Sequence, residues 1–466
     1  MNLKSALGCL VLLPALAASP TRAAELQAGA ARVDITPPAG LPMYGYFNRI
    51  EKHELSTGTR DPLYARVFVL QAGEKRLAIV TLDLGRTFNE SWLSRMKESA
   101  QRDSHIGALL VSASHTHSGP NIVDIYPPGG RPEWENSAFD KILQAIHEAV
   151  SHLEPARIGT DHGLAYVSYN RRRVNPDGSV TMIWTNAEKV ANGPVDPTVS
   201  VLRVDRGDGT PIAILVNYAC HPVVYGSDNL QYSADFVGPM TATVESAFDG
   251  KPLCLFLQGA AGDIKPYYGP TPINKGGVEK CESTGHELGM EAARVAKGIK
   301  TAASADPSLD YADDVMDFKW RWEPGKFHDE LLRAKGPLIF QDHADVLDGD
   351  SRPAALSLHV GTVLINRQIA LVTMPGEPFV EFQVGWRNRC PVRSAFFLGY
   401  TNGYYDYFPT LLAATQGGYG AADSDTYVEV GAGERMLDHA LVRSQEMMGE
   451  LGDVPADTPW VLPPSK

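Results

Sequence analysis

The stretch that decides the fold reads Ala108-Leu109-Leu110-Val111-Ser112-Ala113-Ser114-His115-Thr116-His117-Ser118-Gly119-Pro120. Its first four residues are all apolar, a short continuous run that predicts a strand buried inside an α/β protein. Two histidines follow, two positions apart. If the backbone turns at this point, both imidazole rings can enter one cavity at the end of the strand, and neutral imidazole is a common zinc ligand. The stretch therefore predicts a buried strand that ends at a metal site.

Two more apolar runs end in residues that can bind a metal. The run 212–218 leads into Cys220-His221-Pro222, and the second of two strands predicted over 361–374 leads into Pro375-Gly376-Glu377. Taken alone, such a histidine is more often a hydrogen-bonded core residue, and such a glutamate is more often part of a turn. Three suitable side chains at three strand ends favour a metal site more strongly than any one of them does.

Around these motifs, strand patterns alternate with helical spacings. The runs 67–70 and 77–80 predict a hairpin that turns at Gly73, and a helical spacing that ends before Pro155 begins near Asn136, a candidate cap. Further strands are predicted at 199–204, 253–257 and 395–398, and further helices at 288–299 and 435–451. The pattern predicts the α/β class, with mixed β-sheets, flanking helices and a single large domain.

Composition and charge exclude several classes of protein. Because 44% of the residues are apolar and 21% are charged, the chain is not a collagen, a coiled coil or a wholly disordered protein. The formal net charge of −13 argues against nucleic acid as a partner, since a protein needs a basic surface to neutralise phosphates.

The beginning of the chain has the pattern of an export signal. A short positive start with Lys4 precedes an apolar run from Leu7 to Ala18, and small residues follow at Ala23 and Ala24. This pattern predicts a cleavable signal peptide over residues 1–23 and a secreted or periplasmic protein. No later stretch is apolar over the roughly 20 residues that a transmembrane segment needs.

Four cysteines follow the predicted signal peptide, namely Cys220, Cys254, Cys281 and Cys390. An exported protein permits disulfides, and four cysteines allow three pairings. Cys220 and Cys254 lie within apolar runs, which suits buried free thiols equally well. The sequence leaves both alternatives open.

Residues 303–354 differ in composition from the residues on either side. They are rich in aspartate and contain Trp320, Trp322 and an amphipathic stretch around Leu331-Leu332. Such a segment suits either a surface insertion or a lid over a substrate channel.

Three motifs together resemble the catalytic N-terminal domain of the neutral/alkaline non-lysosomal ceramidase family. They are His115-Thr116-His117-Ser118-Gly119-Pro120, Asn217-Tyr218-Ala219-Cys220-His221-Pro222 and Pro375-Gly376-Glu377, and Val33-Asp34-Ile35-Thr36, Asn170-Arg171 and Ala261-Gly262-Asp263 fit the same family. The resemblance runs in order from about residue 30 to about residue 450, which implies one catalytic domain over residues 24–466. It implies an N-acyl amide or lipid substrate such as ceramide, one Zn²⁺ per chain and a zinc-activated water. It also leaves peripheral contact with a membrane open.

The resemblance implies a function for individual residues. The tyrosine segment Asn402-Gly403-Tyr404-Tyr405-Asp406-Tyr407 is similar to the segment that supplies the family's fourth zinc ligand, and a second tyrosine follows twelve residues later. The implied zinc ligands are His115, His221, Glu377 and Tyr407. The implied catalytic residues are His117 as general acid–base, and Arg171 and Tyr419 as stabilisers of the oxyanion.

The sequence departs from the family at Lys265, which stands where the family usually has a serine. A lysine at this position is expected to bind a carboxylate or an anionic head group of the substrate, together with Asp263. The alternative is that Lys265 points to solvent or pairs with Asp263. We also expect the family's C-terminal β-sandwich domain to be lacking, which, together with Lys265, favours a substrate other than ceramide.

Other functions remain open from the sequence alone. The chain could be a non-catalytic lipid- or glycan-binding descendant, or a zinc esterase or amidase with a non-ceramide substrate. Ser94-Arg95-Met96-Lys97 matches the short SxxK motif of penicillin-recognising serine enzymes. A TIM-barrel amidohydrolase also begins with two histidines after a strand.

Overall fold

The computed structural model describes residues 25–124, 130–323, 325–326 and 354–451. The predicted signal peptide and most of the predicted lid segment lie outside these residues. The described residues form two main β-sheets that pack face to face, with helices on both outer sides.

The strands, in chain order, are β1 (Leu26–Asp34), β2 (Gly58–Thr59), β3 (Tyr64–Ala72), β4 (Lys75–Leu82), β5 (Ala108–Ala113), β6 (Glu154–Leu164), β7 (Ser168–Asn170), β8 (Arg172–Val174), β9 (Val180–Met182), β10 (Thr198–Arg206), β11 (Pro211–Tyr218), β12 (Gln231–Tyr232), β13 (Leu253–Gln258), β14 (Ile264–Pro266), β15 (Leu309–Phe318), β16 (Leu356–Ile365), β17 (Ile369–Thr373), β18 (Glu377–Pro378), β19 (Ser394–Leu398) and β20 (Tyr407–Phe408). The α-helices are α1 (Phe47–Glu51), α2 (Glu90–Ser104), α3 (Glu133–Ser151), α4 (Val237–Ser246), α5 (Gly277–Gly298), α6 (Val380–Arg389), α7 (Leu411–Gln416) and α8 (Ala432–Met448). Within the described ranges, none of these helices combines the length and the apolar character needed to cross a membrane.

The two main sheets are both mixed. The larger has eight strands in the order β13-β11-β10-β6-β1-β3-β4-β5, and the smaller has four in the order β15-β16-β17-β19. The pairs β4–β5, β11–β13 and β17–β19 are parallel, and the other neighbours are antiparallel. The predicted α/β class with mixed sheets and flanking helices is confirmed, and this topology is not that of a TIM barrel.

Alternate side chains of each strand serve different layers of the core. Phe68 of β3 and Leu371 of β17 point into the apolar layer between the two sheets. Their neighbours Val67 and Val372 point outward, Val67 into a core shared with α2 to α5 and Val372 into a core shared with α6 and α8. The fold therefore has four layers, in the order helix, sheet, sheet, helix.

The larger sheet curls until its two edges meet. Its edge strands β13 and β5 contact each other, because each strand is rotated relative to its neighbour in the same sense. The curl brings the end of β11 towards the end of β5, although the two strands lie near opposite edges. The smaller sheet joins them at this point through the bridge between Ser112 and Thr401.

Some predicted boundaries differ from the observed ones. Helix α3 begins at Glu133 behind Pro132, so Asn136 lies inside the helix and does not cap it. A proline suits a helix start because its φ is already near the helical value. Strand β6 was not predicted, since exposed residues such as Asp161 and His162 hide its alternation.

The segment 303–354 is not a single unit outside the fold. Its residues 309–318 form β15, the edge strand of the smaller sheet, paired antiparallel with β16 from Leu309↔Ile365 to Phe318↔Leu356. The aspartates of this strand lie on both of its faces: Asp317 is exposed, and Asp314 forms an ion pair with Arg443 of α8. Residues 324 and 327–353 lie outside the described part of the chain, where a lid stays a prediction.

The four cysteines beyond the predicted signal peptide are free thiols. Cys220, Cys254 and Cys281 are buried, and Cys390 is partly buried. The sequence allowed either disulfides or free thiols, and the structure has free thiols.

Candidate metal centre

Three histidines meet where the two sheets end. His115 and His117 follow β5, and His221 follows β11. One ring nitrogen from each lies within 4.8 Å of the other two, and the Nε2 atoms of His115 and His117 are 3.3 Å apart. The backbone of His115 has a φ of 69°, which interrupts the alternation of the strand. Both rings of the motif therefore enter the same site.

A carboxylate that follows β17 of the smaller sheet completes this cluster. The Oε1 atom of Glu377 lies 3.3 Å from Nε2 of His115, and its Oε2 atom lies 3.1 Å from Nε2 of His221. Ligands of a tetrahedral ion with bonds of about 2.0–2.1 Å are separated by about 3.3 Å. The Nε2 atom of His221 is buried and has no hydrogen-bond partner among the described residues. These three side chains fit a metal ion such as zinc.

Backbone carbonyl groups fix the orientation of two of the rings. Nδ1 of His115 lies 2.6 Å from the carbonyl oxygen of Gly85, and Nδ1 of His221 lies 2.5 Å from that of Ala261 and 3.0 Å from that of Ile264. A carbonyl oxygen only accepts hydrogen bonds, so Nδ1 must carry the proton in both rings. The lone pair of Nε2 is then free to bind a metal.

The protonation states of the cluster also suit metal binding. Burial lowers the pKa of His221 to about 4 and the pKa of His117 well below its usual value. Neutral imidazole is the form that binds metal ions.

Sequence reasoning missed three tyrosines around Glu377. The hydroxyl group of Tyr404 donates to Oε1 of Glu377, and that of Tyr400 donates to Oε2 at 3.4 Å. Tyr44 shares a hydrogen bond of 2.7 Å with Tyr404 and places its ring edge against His115 and His117. The tyrosine segment quoted above contains Tyr404, but Tyr44 belongs to no motif that sequence reasoning singled out.

The predicted ligand Tyr407 lies beside Glu377. Strand β20 pairs with β18 so that Glu377 and Tyr407 are backbone partners. The Arg171 guanidinium group lies 5.3 Å from the ring centre of Tyr407 and 4.9 Å from that of Tyr419. The structure thus groups Arg171, Tyr407 and Tyr419, while their functions in binding and catalysis stay predictions.

Lys265 lies in the same cluster and is almost fully buried, with 6% of its surface exposed. Its Nζ atom donates to the carbonyl oxygen of Trp184 at 3.1 Å and lies 5.3 Å from the centre of that indole ring. Burial, together with the neighbouring Arg171, lowers its pKa to about 7. Lys265 therefore neither points to solvent nor pairs with Asp263.

The carboxylate of Asp263 is held within the fold. It accepts hydrogen bonds from the side chain of Asn170 at 2.5 Å and from the backbone of Val380 at 2.9 Å. Burial raises its pKa to about 7. These bonds connect the loop after β13 to the start of α6, and contact between Asp263 and a substrate stays a prediction.

The SxxK motif lies on the surface of α2. Ser94 is exposed, and Lys97 forms an ion pair with Asp313 of β15. A lysine held by a carboxylate at the surface is not placed to activate a serine, which removes the support for a serine hydrolase of this type.

Comparison with known proteins identifies a family. A family model described as "Neutral/alkaline non-lysosomal ceramidase, N-terminal" matches residues 26–311, more than half of the chain. This range contains His115 and His221 but ends before Glu377 and Tyr407.

Curated relatives match over a similar part of the chain. The neutral ceramidase of Mycobacterium tuberculosis (strain ATCC 25618 / H37Rv) is 26% identical over 268 residues, which cover 52% of this chain and 40% of the relative. Neutral ceramidase B of Dictyostelium discoideum is 27% identical over 270 residues, covering 53% and 36%. The match therefore spans less than half the length of these relatives.

Solved structures extend the likeness to nearly the whole chain. The crystal structure of neutral ceramidase from Pseudomonas aeruginosa covers 95% of this chain, with a TM-score of 0.71 and 19% identity, and 77% of that chain is covered. A structure titled "Ceramidase complexed with C2" covers 93%, with a TM-score of 0.73 and 19% identity. At this identity the likeness concerns the fold.

Proposed function

Since the chain belongs to the neutral/alkaline non-lysosomal ceramidase family, we propose that it is a zinc-dependent amidohydrolase that cleaves the N-acyl amide bond of ceramide or a related N-acyl lipid. The observation that carries the proposal is the convergence of His115, His221 and Glu377, whose facing atoms are 3.1–3.3 Å apart. Two imidazole nitrogens and one carboxylate oxygen are a ligand set typical of catalytic zinc.

We assign the zinc ligands to His115, His221, Glu377 and Tyr407. Tyr407 is the fourth ligand in this proposal because it matches the tyrosine ligand that the family resemblance implies, and it lies beside Glu377 as its backbone partner. When bound, zinc supplies Lewis acidity, which lowers the pKa of a water molecule and polarises the amide carbonyl group.

The remaining residues supply proton transfer and charge stabilisation. His117 accepts a proton from the attacking water at a ring nitrogen and then donates it to the leaving nitrogen. Its buried ring is neutral near pH 7, as a general base must be. Arg171 and Tyr419 donate hydrogen bonds to the oxyanion that develops on the carbonyl oxygen.

The family's lipid substrates also suggest where the protein acts. We propose that residues 1–23 direct the chain to the periplasm or the exterior. We further propose that helix α7, which connects Tyr407 to Tyr419, rests on a lipid surface. Its Leu411 and Leu412 are 51% and 66% exposed, and exposed apolar side chains at one place favour such contact.

Metal analysis combined with substrate hydrolysis tests the proposal. Purified protein should contain about one zinc per chain, and it should release amine from short-chain ceramide or from another N-acyl lipid in a panel of amides and esters. The Glu377→Gln variant should lose both zinc and activity, whereas Glu450→Gln, a change at an exposed residue, should keep both. Zinc binding without hydrolysis of any compound in the panel would overturn the enzymatic proposal and favour a binding protein.

A further inference from the structure

Two buried cations lie side by side next to the metal centre. Lys265 lies in β14, which pairs with β7 so that Ile264 is opposite Asn170, and Arg171 directly follows Asn170. The Lys265 ammonium group and the Arg171 guanidinium group both approach the Trp184 ring, at 5.3 Å and 5.8 Å from its centre. Arg171 is 4% exposed and Lys265 is 6% exposed.

Neither cation has a carboxylate partner at ion-pair distance within the part of the chain that the structure describes. Lys265 donates to the carbonyl oxygen of Trp184, and Arg171 donates to that of Gly262 at 2.6 Å. The Nε atom of Arg171 is buried and has no hydrogen-bond partner among the described residues. Buried charges are normally paired, because burying an unpaired charge costs free energy.

Two acidic groups that interact with Arg171 are already engaged. Asp263 accepts hydrogen bonds from Asn170 and Val380, and Glu377 faces two histidines of the metal centre. Among the described residues, Lys265 and Arg171 therefore have no carboxylate of their own as an ion-pair partner. This arrangement is the reverse of a structural ion pair, in which both charges belong to the chain.

The cluster lies beneath an exposed aromatic side chain. Trp184 is 46% exposed, and its ring packs against the partly buried Tyr419, with ring centres 5.4 Å apart. Tyr419 in turn packs against Tyr407 at 5.4 Å, beside Glu377. A continuous row of packed rings thus connects the exposed Trp184 to Glu377, with both cations beside it.

We propose that Lys265, beside Arg171, binds a carboxylate or phosphate group of the substrate, so that the protein prefers an acidic N-acyl amide to neutral ceramide. This inference rests on the proposed amidohydrolase function and names the substrate class of the same site. A lysine ammonium group and an anion form a charge-assisted hydrogen bond, which is about twice as strong as a neutral one. The serine usual at this position in the family offers no such charge.

The test uses two substrates that differ only in charge. N-lauroylglycine carries a carboxylate where N-lauroylglycinamide carries a neutral amide of nearly the same shape. We expect the wild-type kcat/KM to favour the carboxylate by about tenfold or more, as a hydrogen bond to a charged group implies. Lys265→Met, which keeps the length of the side chain, should reduce that ratio by about the same factor, and Lys265→Arg should retain most of it.

Matched controls separate selectivity from damage. Lys280→Met removes an exposed lysine that also lies over a ring, that of Tyr268 at 4.2 Å, and should leave the ratio unchanged. Zinc content and the near-ultraviolet circular dichroism spectrum should match between wild type and Lys265→Met. If the ratio is the same in wild type and in a folded, zinc-loaded Lys265→Met, the inference is wrong, whatever the absolute rates.

Two further measurements separate this inference from the proposed function and from product binding. If no amide is hydrolysed, calorimetric titration of both amides still tests the proposed anion site at Lys265. Wild type should then bind N-lauroylglycine more tightly than Lys265→Met does. Equal binding in that titration would overturn the inference. Laurate, the carboxylate product, should inhibit wild type and Lys265→Met equally. If laurate inhibition weakens in Lys265→Met by the same factor as the kcat/KM ratio of the two amides, Lys265 binds the carboxylate of the product and not the head group of the substrate. That result would overturn the inference.

Discussion

Nδ1 of His115 donates a hydrogen bond of 2.6 Å to the carbonyl oxygen of Gly85. That bond fixes the ring so that its other nitrogen faces His117 and Glu377. Gly85 has little space around it, because a Cβ atom at this position would lie 2.1 Å from the ring of Tyr44. The loop after β4 therefore holds a metal-site histidine and a site tyrosine at once.

We predict that Gly85→Ala weakens zinc binding about 10- to 100-fold, the usual cost of losing a partner of a ligand histidine. The added methyl group must displace Tyr44 or the carbonyl group that holds His115. Competition with a chromogenic chelator measures the affinity. Gly207→Ala is the matched control, since no atom lies within 4 Å of the added methyl group. Equal zinc affinity in both variants would contradict the prediction.

We predict that His221→Ala loses most of its zinc. The variant removes a ring nitrogen that lies 3.1 Å from Glu377 and leaves the ion with fewer ligands. Metal analysis after dialysis measures the loss, and His162→Ala, at an exposed position of β6, is the control. A full zinc content in His221→Ala would contradict the assignment of His221 as a ligand.

We predict that His117→Ala retains zinc while the turnover rate falls by about 10²- to 10⁴-fold, as loss of a general acid–base does. The Nε2 atom of His117 is only 3.3 Å from that of His115, a distance that a second ligand would also have. Metal analysis of His115→Ala and His117→Ala side by side separates the two functions. If both variants lose zinc equally, His117 is a ligand.

We predict that the preference for an acidic substrate decreases as the pH rises through about 7. Burial, together with the neighbouring Arg171, lowers the pKa of Lys265 to about 7, so its ammonium form is present below that pH and is lost above it. The substrate carboxylate stays ionised throughout, since its usual pKa is near 3.5. The ratio of kcat/KM for N-lauroylglycine to that for N-lauroylglycinamide, measured from pH 6 to pH 9, tests this. Lys265→Arg should flatten the profile, because arginine stays protonated, and an identical profile in both proteins would refute the prediction.

We predict that Leu411→Ser/Leu412→Ser reduces binding to lipid vesicles several-fold, because each serine removes exposed apolar surface. Co-sedimentation with phosphatidylcholine vesicles measures binding. Leu164→Ser, at a position of β6 that is 51% exposed, is the control. Vesicle binding that falls equally in the control, or in neither variant, would mean that α7 is not the contact.

The strand-end motifs could be found from the sequence because each one follows an apolar run. His115, His221 and Glu377 stand at the ends of β5, β11 and β17, as the pattern indicated. Their proximity could not be found in this way. It depends on the curl of the eight-stranded sheet, which is a sum of small rotations between strands that no single strand records.

Residues outside motifs were the hardest to predict. Tyr44 reaches the site through a loop that has no periodic pattern, and its contacts with His115 and Tyr404 exist only in the folded chain. For a similar reason the sequence could not distinguish free thiols from disulfides, since the distance between two thiols is a property of the tertiary structure. Lys265 was noticed only because it departs from the family, and its burial became visible in the structure.

The meeting of both sheets at one cluster makes a bound ion a cross-link between parts of the fold. His115 and His221 follow strands near opposite edges of one sheet, and Glu377 follows β17 of the other. An ion held by all three would bind the native state and not the unfolded chain, and would stabilise it by about 2.7 kcal/mol at a free concentration one hundred times its dissociation constant. Chelation should then lower the melting temperature as well as the activity. The metal centre would therefore stabilise the packing of the two sheets against each other.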